Sequence, residues 1–436
     1  MTIKTGILRS AGLAKESVLG TLVTTPDVYI PYRPPLAFNP DITLLESSAI
    51  RAQADKIIQA DQGPSLLKGG KVQWEANPEN IGEHLMAAFG TDTITEGAAF
   101  AVTSANKRID FTEDGGSEVT AVLVEGSYAM GASSAVAGSL CAQIKTQMEA
   151  VNGASTYTVT YSFTTKKLTI TKSAGVFVLK WQSGTNTATS SKTLLGFTNA
   201  DTSSAIAATS DSTTASFVMA HAFTRVASEL LPTYSWWIDS GNKYQQFAGC
   251  MLNKLEFTAK AKEYVLADAE WHGLSYDDTG SSKSPSYSTQ RAFVFQDATL
   301  LMDAAQVYDY DNLKVTIEND VEVMHALSAS KYGRLIYSKG LMVTVTADFY
   351  FVDTTQYAKF LAGTTAALNL TLTGATIANS LPYKLVLDLP EIQYRAAPLH
   401  NPQGPIKVTF AAVAKYNVSA AYTMKATLTN VKGAAY

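Results

Sequence analysis

Apolar and polar residues alternate with a period of two over much of this chain, the mark of strands buried on one face. Residues 68–90 read KGGKVQWEANPENIGEHLMAAFG, with Val72, Trp74 and Ala76 set against Lys71, Gln73 and Glu75. Residues 339–363 read KGLMVTVTADFYFVDTTQYAKFLAG, where Leu341, Val343, Val345, Ala347 and Phe349 alternate with Thr344, Thr346 and Asp348. Each run opens on Lys-Gly and leads into a short helical pattern. In the first, Asn77 is placed as N-cap with Pro78 behind it; Ile81, Leu85 and Phe89 form the apolar face and Gly90 ends it. In the second, Asp353 and Gln356 fit a capping box, Tyr357 and Leu361 the apolar face, and Gly363 the stop.

The two segments predict an internal repeat. The offset between them is 340 − 69 = 271 at the opening glycine and 363 − 90 = 273 at the closing one. Strand-like runs flank both copies: Val28–Tyr32 before the first and Leu313–Ile317 before the second, then 247–258 with Tyr264–Trp271, and 385–395 with Ile406–Val413. A polar Ser/Gly/Pro stretch over 276–290 reads as the linker.

Residues 105–215 predict a module inserted in the first copy. Val136, Leu140, Ile144, Met148 and Val151 lie on one helix face up to the Asn152-Gly153 stop. Alternating strands follow around Tyr157–Phe163, Leu168–Ile170 and Phe177–Trp181, then a Ser/Thr-rich tail about a buried Leu194–Phe197 turn. The expected architecture is mainly β with short helices: a discontinuous first unit (1–104 and 216–275), the α+β module, the linker, and a second unit (291–436).

Composition narrows the function. The 436 residues are 46% hydrophobic but only 17% charged, below the usual quarter or so, which suits sheet surfaces covered by partners. A net charge of −4 leaves no basic footprint for nucleic acid. The opening residues lack a continuous apolar core and no membrane-length apolar run follows, so neither a secretion signal nor a span is expected. Cys141 and Cys250 read as reduced, small hydrophobic residues.

No residue stands out for catalysis, metal or cofactor binding. The nucleophile elbow, phosphate loop and His-Glu-x-x-His pair are missing, and His84, His221, His272, His325 and His400 are scattered singly. Asp309, Asp311, Glu318 and Asp320 lack the glycine of a calcium loop and read as solvated strand ends. Trp236 and Trp237 point to opposite faces of any strand, so they suit packing better than a sugar platform.

The residues resemble the tail tube proteins of long-tailed bacteriophages, of the kind with tandem tube domains. The resemblance rests on Glu16–Leu22 (ESVLGTL) with Tyr29–Tyr32 (YIPY), on Lys68–Val72 (KGGKV) with Asn77–Leu85 (NPENIGEHL), and on Phe247–Leu255 (FAGCMLNKL). The second half matches through the repeat. Gly126–Tyr128, Tyr157–Tyr161 and Leu195–Phe197 resemble a small α+β domain appended to phage structural proteins, expected to decorate the outside of a tube.

The resemblance implies β-sandwich or barrel units whose sheets continue into their neighbours, six to a ring, with rings stacking into a tube. Two units per chain would then make the ring a trimer. It implies the virion tail as location after assembly in the host cytoplasm, a tape measure protein and tail completion proteins as partners, DNA in transit without specific binding, no cofactor and no membrane. Ile42, Leu44, Leu45, Ile57 and Ile58, in the long connection Leu36–Leu67, are the expected inter-ring stacking residues. Val72, Trp74, Val343 and Val345 mark the expected ring-closing segments. Competing readings are another β-barrel ring protein of a tail or contractile apparatus, a surface carbohydrate-binding or adhesive module, and a hydrolase with a carboxylate pair assembled in space.

Overall fold

The computed structural model describes residues 9–46, 60–213, 216–241, 243–327, 330–352, 354–400 and 404–436. The chain opens with strands β1 (Ser10–Lys15), β2 (Val28–Ile30), β3 (Tyr32–Ala37), β4 (Pro40–Glu46) and β5 (Ala60–Glu75), then helix α1 (Gly82–Phe89) and β6 (Gly90–Glu96). Next come β7 (Phe100–Val102), β8 (Arg108–Glu113), β9 (Val119–Val122), β10 (Gly126–Tyr128), α2 (Leu140–Val151), β11 (Tyr157–Ser162), β12 (Lys167–Lys172), β13 (Phe177–Leu179), α3 (Lys192–Leu195) and β14 (Ala207–Thr209). Strands β15 (Met219–Arg225), β16 (Tyr234–Asp239), β17 (Tyr244–Lys260), β18 (Leu266–Gly273) and β19 (Ser275–Asp277) complete the first half.

The second half holds β20 (Ala298–Met302), β21 (Ala305–Val307), β22 (Tyr310–Glu318), β23 (Val321–Met324), β24 (Leu335–Ser338) and β25 (Met342–Tyr350). After α4 (Thr355–Ala362) follow β26 (Thr365–Ala378), β27 (Leu381–Ala396), β28 (Leu399–His400), β29 (Lys407–Ala414) and β30 (Lys425–Asn430). The fold is mainly β, as its alternation implies.

Strand pairing in the first half recurs, pair for pair, in the second, and every pair is antiparallel. β1 joins β2 and β16 as β20 joins β21 and β26. β16–β17 corresponds to β26–β27, and β17–β18 to β27–β29. β17–β19 corresponds to β27–β30, β5–β18 to β25–β29, and β3–β5 to β22–β25. The β4–β5 hairpin has a shorter counterpart in β23–β24. Gly90 and Gly363, at φ 84° and 66°, close α1 and α4 in the left-handed conformation that glycine adopts without steric cost.

Past Gly363 the second half runs straight into β26, through a tight β26–β27 hairpin whose turn residues Asn379 and Ser380 both have positive φ. The first half reaches the counterpart strand β16 only at Tyr234. The intervening chain leaves on β6 and returns on the antiparallel β15, and β7–β14 lie between them. Those strands form small sheets of their own around a second hydrophobic cluster built on Phe111, Leu140, Ile144, Tyr157, Ile170 and Trp181. The expected 105–215 module falls inside this segment.

Three local expectations change. Helix α1 starts at Gly82, because the Asn77 side chain accepts the Glu79 amide and makes a turn ahead of the helix. Helix α2 starts at Leu140, with Ser139 accepting the Ala142 amide; Val136 precedes it and is exposed. Helix α4 has no fully buried residue: Tyr357 and Phe360 are half-buried and pack against the core, while Leu361 is 69% exposed, so the expected apolar face is covered only in part. Asp353 of the expected capping box lies outside the described residues. Both cysteines are free and buried, and Trp236 and Trp237 are both core residues.

At the centre of the first half His84 on α1 is fully buried among tryptophans, with ring centroids 4.2 Å from Trp74, 6.0 Å from Trp236 and 5.7 Å from Trp271. Burial drives its pKa down to about 3, because this apolar cage disfavours the imidazolium. An unfolded chain takes up that proton near pH 6.5, so the contribution is complete above about 6.5 and drains away as pH falls toward 3. His84→Phe should therefore shift the midpoint of acid unfolding to lower pH, followed by tryptophan fluorescence. An unmoved midpoint would contradict this assignment.

Candidate assembly surfaces

The longest element of the first half, β17, serves two sheets in turn. Its N-terminal part pairs with β16; beyond a register shift at Asn253, its C-terminal part pairs with β22 of the second half over Lys254–Lys260. Alternation sorts the side chains of this joint. Leu255, Phe257 and Ala259 face Ile317, Val315 and Leu313, all buried, so one hydrophobic core runs through both halves. On the opposite face Glu256 lies 3.0 Å from Lys254 and 2.7 Å from Lys314 across the joint. Partial burial raises the Glu256 pKa, but the hydrogen bonds from Lys314 and Lys254 outweigh it and leave the carboxyl below its ordinary value.

A buried polar knot locks the end of the joint. Asn319, fully buried, donates to the Ala88 carbonyl of α1 (3.3 Å) and the Leu252 carbonyl of β17 (3.1 Å). Its own side-chain oxygen accepts from Arg225 (3.1 Å), whose other amine reaches the Ser338 hydroxyl at 2.8 Å. A second seam runs through β30, which pairs with β27 on one side and β15 on the other. The residues after β30 then cover α1. Lys432 reaches Glu83 (2.8 Å), and the Tyr436 ring lies so close to Gly82 that a Cβ there would stand 1.9 Å from it.

The sites expected from sequence are scattered over this frame. Ile42, Leu44 and Leu45 lie on β4 of the β4–β5 hairpin and are 44%, 62% and 61% exposed. Ile57 and Ile58 lie outside the described residues. Val72 and Trp74 are buried on β5, which pairs with β3 and β18; Val343 and Val345 are buried on β25, between β22 and β29. Those four side chains thus belong to the chain's own core. Among the described residues, β3 pairs with β5 alone, and β27 beyond Gln393 has no partner on its β26 side. Sequence reasoning passed over Asn319, β30 and the tail, because a lone Asn and an ordinary strand carry no mark of a partner hundreds of residues away.

Among the described residues no group of three or more His, Cys, Asp or Glu could hold a metal ion, and no helix is long and apolar enough to cross a membrane. Of the histidines, His84 is in the core, His221 is buried 2.9 Å from Asp92, and His272 stands 3.6 Å from Glu270. What the fold presents is a set of sheets joined edge to edge, with strand edges that have no partner among the described residues, and an open edge offers N–H and C=O groups to another strand. A family model described as phage tail tube protein matches residues 6–429, and the chain belongs to that family, a component of the virion tail. A comparison with curated proteins gives no match.

Removing the Asn319 side chain takes a donor from the Leu252 carbonyl, leaves the Ala88 carbonyl only a long contact from Arg225 (3.5 Å), and takes an acceptor from Arg225. Asn319→Ala should lower the unfolding free energy by about 2–3 kcal/mol, measured by urea denaturation. A change within about 0.5 kcal/mol, as for an ordinary surface site, would show that the knot does not hold the halves together.

Proposed function

We propose that each chain supplies two equivalent tube units, that three chains close a ring with approximate six-fold symmetry, and that stacked rings form the tail tube. The observation that carries this is the β17–β22 joint between two halves with the same pairing scheme. An edge-to-edge contact repeated by rotation closes into a ring, and a head-to-tail contact along the axis does not close and so makes a filament. In this reading the units are 1–104 with 216–275, and 291–436, joined by 276–290, with 105–215 decorating the outside. The tube is the conduit for DNA at ejection.

The chain is not asked to catalyse anything. Its net charge of −4 supports a lumen that does not hold phosphates, so DNA passes without specific binding. Tape measure and tail completion proteins are the proposed further partners, and the host cytoplasm the place of assembly. Inter-ring stacking is assigned to the β4–β5 hairpin, whose Ile42, Leu44 and Leu45 are exposed. Leu327, between β23 and β24 in the shorter counterpart, is likewise exposed. Ile57 and Ile58 belong to the same proposed contact, and β5 and β25, carrying Val72, Trp74, Val343 and Val345, to the ring wall.

Negative-stain electron microscopy of the concentrated protein should show hollow tubes or rings; a population that stays dispersed as single particles would sink the proposal. Leu44→Asp combined with Leu45→Asp should leave folding unchanged and stop growth at single rings. Tubes of wild-type length from that variant would remove the hairpin from the stacking contact.

A further inference from the structure

The two halves share their pairing scheme but not their burial, and the difference is concentrated on one helix. All eight residues of α1 are buried, whereas its counterpart α4 has none. Much of the cover over α1 comes from the second half: Asn319 on the Ala88 carbonyl, Lys432 on Glu83, and Tyr436 against Gly82. Beside α1, the C-terminal part of β17 is paired with β22. Among the described residues the first half gives α4 no such cover; its half-buried Tyr357 and Phe360 pack within the second half. Leu361 and Val352 are each 69% exposed, and Leu399 on β28 is 41% exposed. The stretch of β27 that corresponds to the paired end of β17 lacks a partner among the described residues on its β26 side.

The complementary vacancy is at the other end of the chain. β22, which receives β17, corresponds to β3, and β3 has β5 on one side and, among the described residues, no strand on the other. Along it lies a groove of about 610 Å³ lined by Ile30, Pro31, Tyr32, Pro35, Leu36 and Tyr287. Both open edges carry the residues that keep edges from pairing indiscriminately: Arg33 with Pro34 and Pro35 on one, Arg395 and Pro398 on the other. Such edges accept a partner only in a register that asks no N–H of the prolines.

Resting on the ring reading above, we propose that the contact between chains copies the joint within the chain. The open edge Tyr394–His400 and the face of α4 of one copy receive β3 and its groove from a second copy, antiparallel, as β17 and α1 receive β22. The copied contact is the leaner of the two. The internal joint has the extra β15–β30 seam, which depends on a strand that the second half does not possess. Rings should therefore come apart between chains before the halves of a chain separate.

The test is hydrogen exchange by mass spectrometry on the full-length protein, free and assembled, together with Leu361→Glu. Amides in Tyr32–Ala37, Thr355–Ala362 and Tyr394–His400 should slow about tenfold or more on assembly. Leu361→Glu should leave the free chain's thermal midpoint unchanged and raise the concentration needed for assembly about tenfold or more. Val136→Glu, an exposed site on the inserted module, should assemble as wild type does. Tubes in which those three segments exchange as in the free chain, or which Leu361→Glu builds at wild-type concentration, would overturn this assignment and leave the ring reading standing. Wild-type protein that forms neither rings nor tubes would overturn the ring reading itself.

Discussion

Backbone pairing between β17 and β22 is the contact on which the rest of the structure depends. An unpaired strand edge exposes a row of N–H and C=O groups that any other edge can satisfy, and proteins either hide it or use it. Here the first half offers the end of β17, and the second half answers with β22. The apolar faces on either side merge into one core, from Leu255 and Phe257 through to Val315 and Ile317. Ladder bonds give the joint direction and register, burial gives it most of its strength, and Asn319 with Arg225 fixes where it ends.

Using one edge in this way leaves its repeat unused. A duplicated pairing scheme produces two such edges and two matching acceptors, and a single chain can join only one of each. The exposed Leu361 side of α4 and, among the described residues, the side of β3 away from β5 are the remainder. In the proposed assembly this remainder is the means by which chains join, and the low charge of the chain fits surfaces meant to be covered. The long segment between β6 and β15 leaves the pairing scheme of the first half matching that of the second.

Much of this frame was legible in the residues. Period-two alternation located β5 and β25, and the strand–helix–glycine order located α1 and α4 behind them. Alternation reports which face of a strand is buried, whatever buries it. For that reason alternation marks Val72, Trp74, Val343 and Val345 as buried, which they are, but does not itself test their expected place in ring-closing segments. Leu361 has the spacing of a core residue and is exposed, because periodicity records an apolar face without saying how far along it the cover extends. Asn77 also illustrates a local limit: an Asx turn and an N-cap ask for the same residue, and only the following geometry separates them.

The inserted segment offers the most direct test of the central claim, that each ring wall is made of two tube units per chain, one of them carrying that segment. It can be resolved by electron cryo-microscopy of tubes, reconstructed without imposed rotational symmetry. The account predicts six similar wall segments in each ring, with protruding density on alternate segments only, three protrusions in all. Protrusions on every wall segment, one for each of six chains, would contradict it.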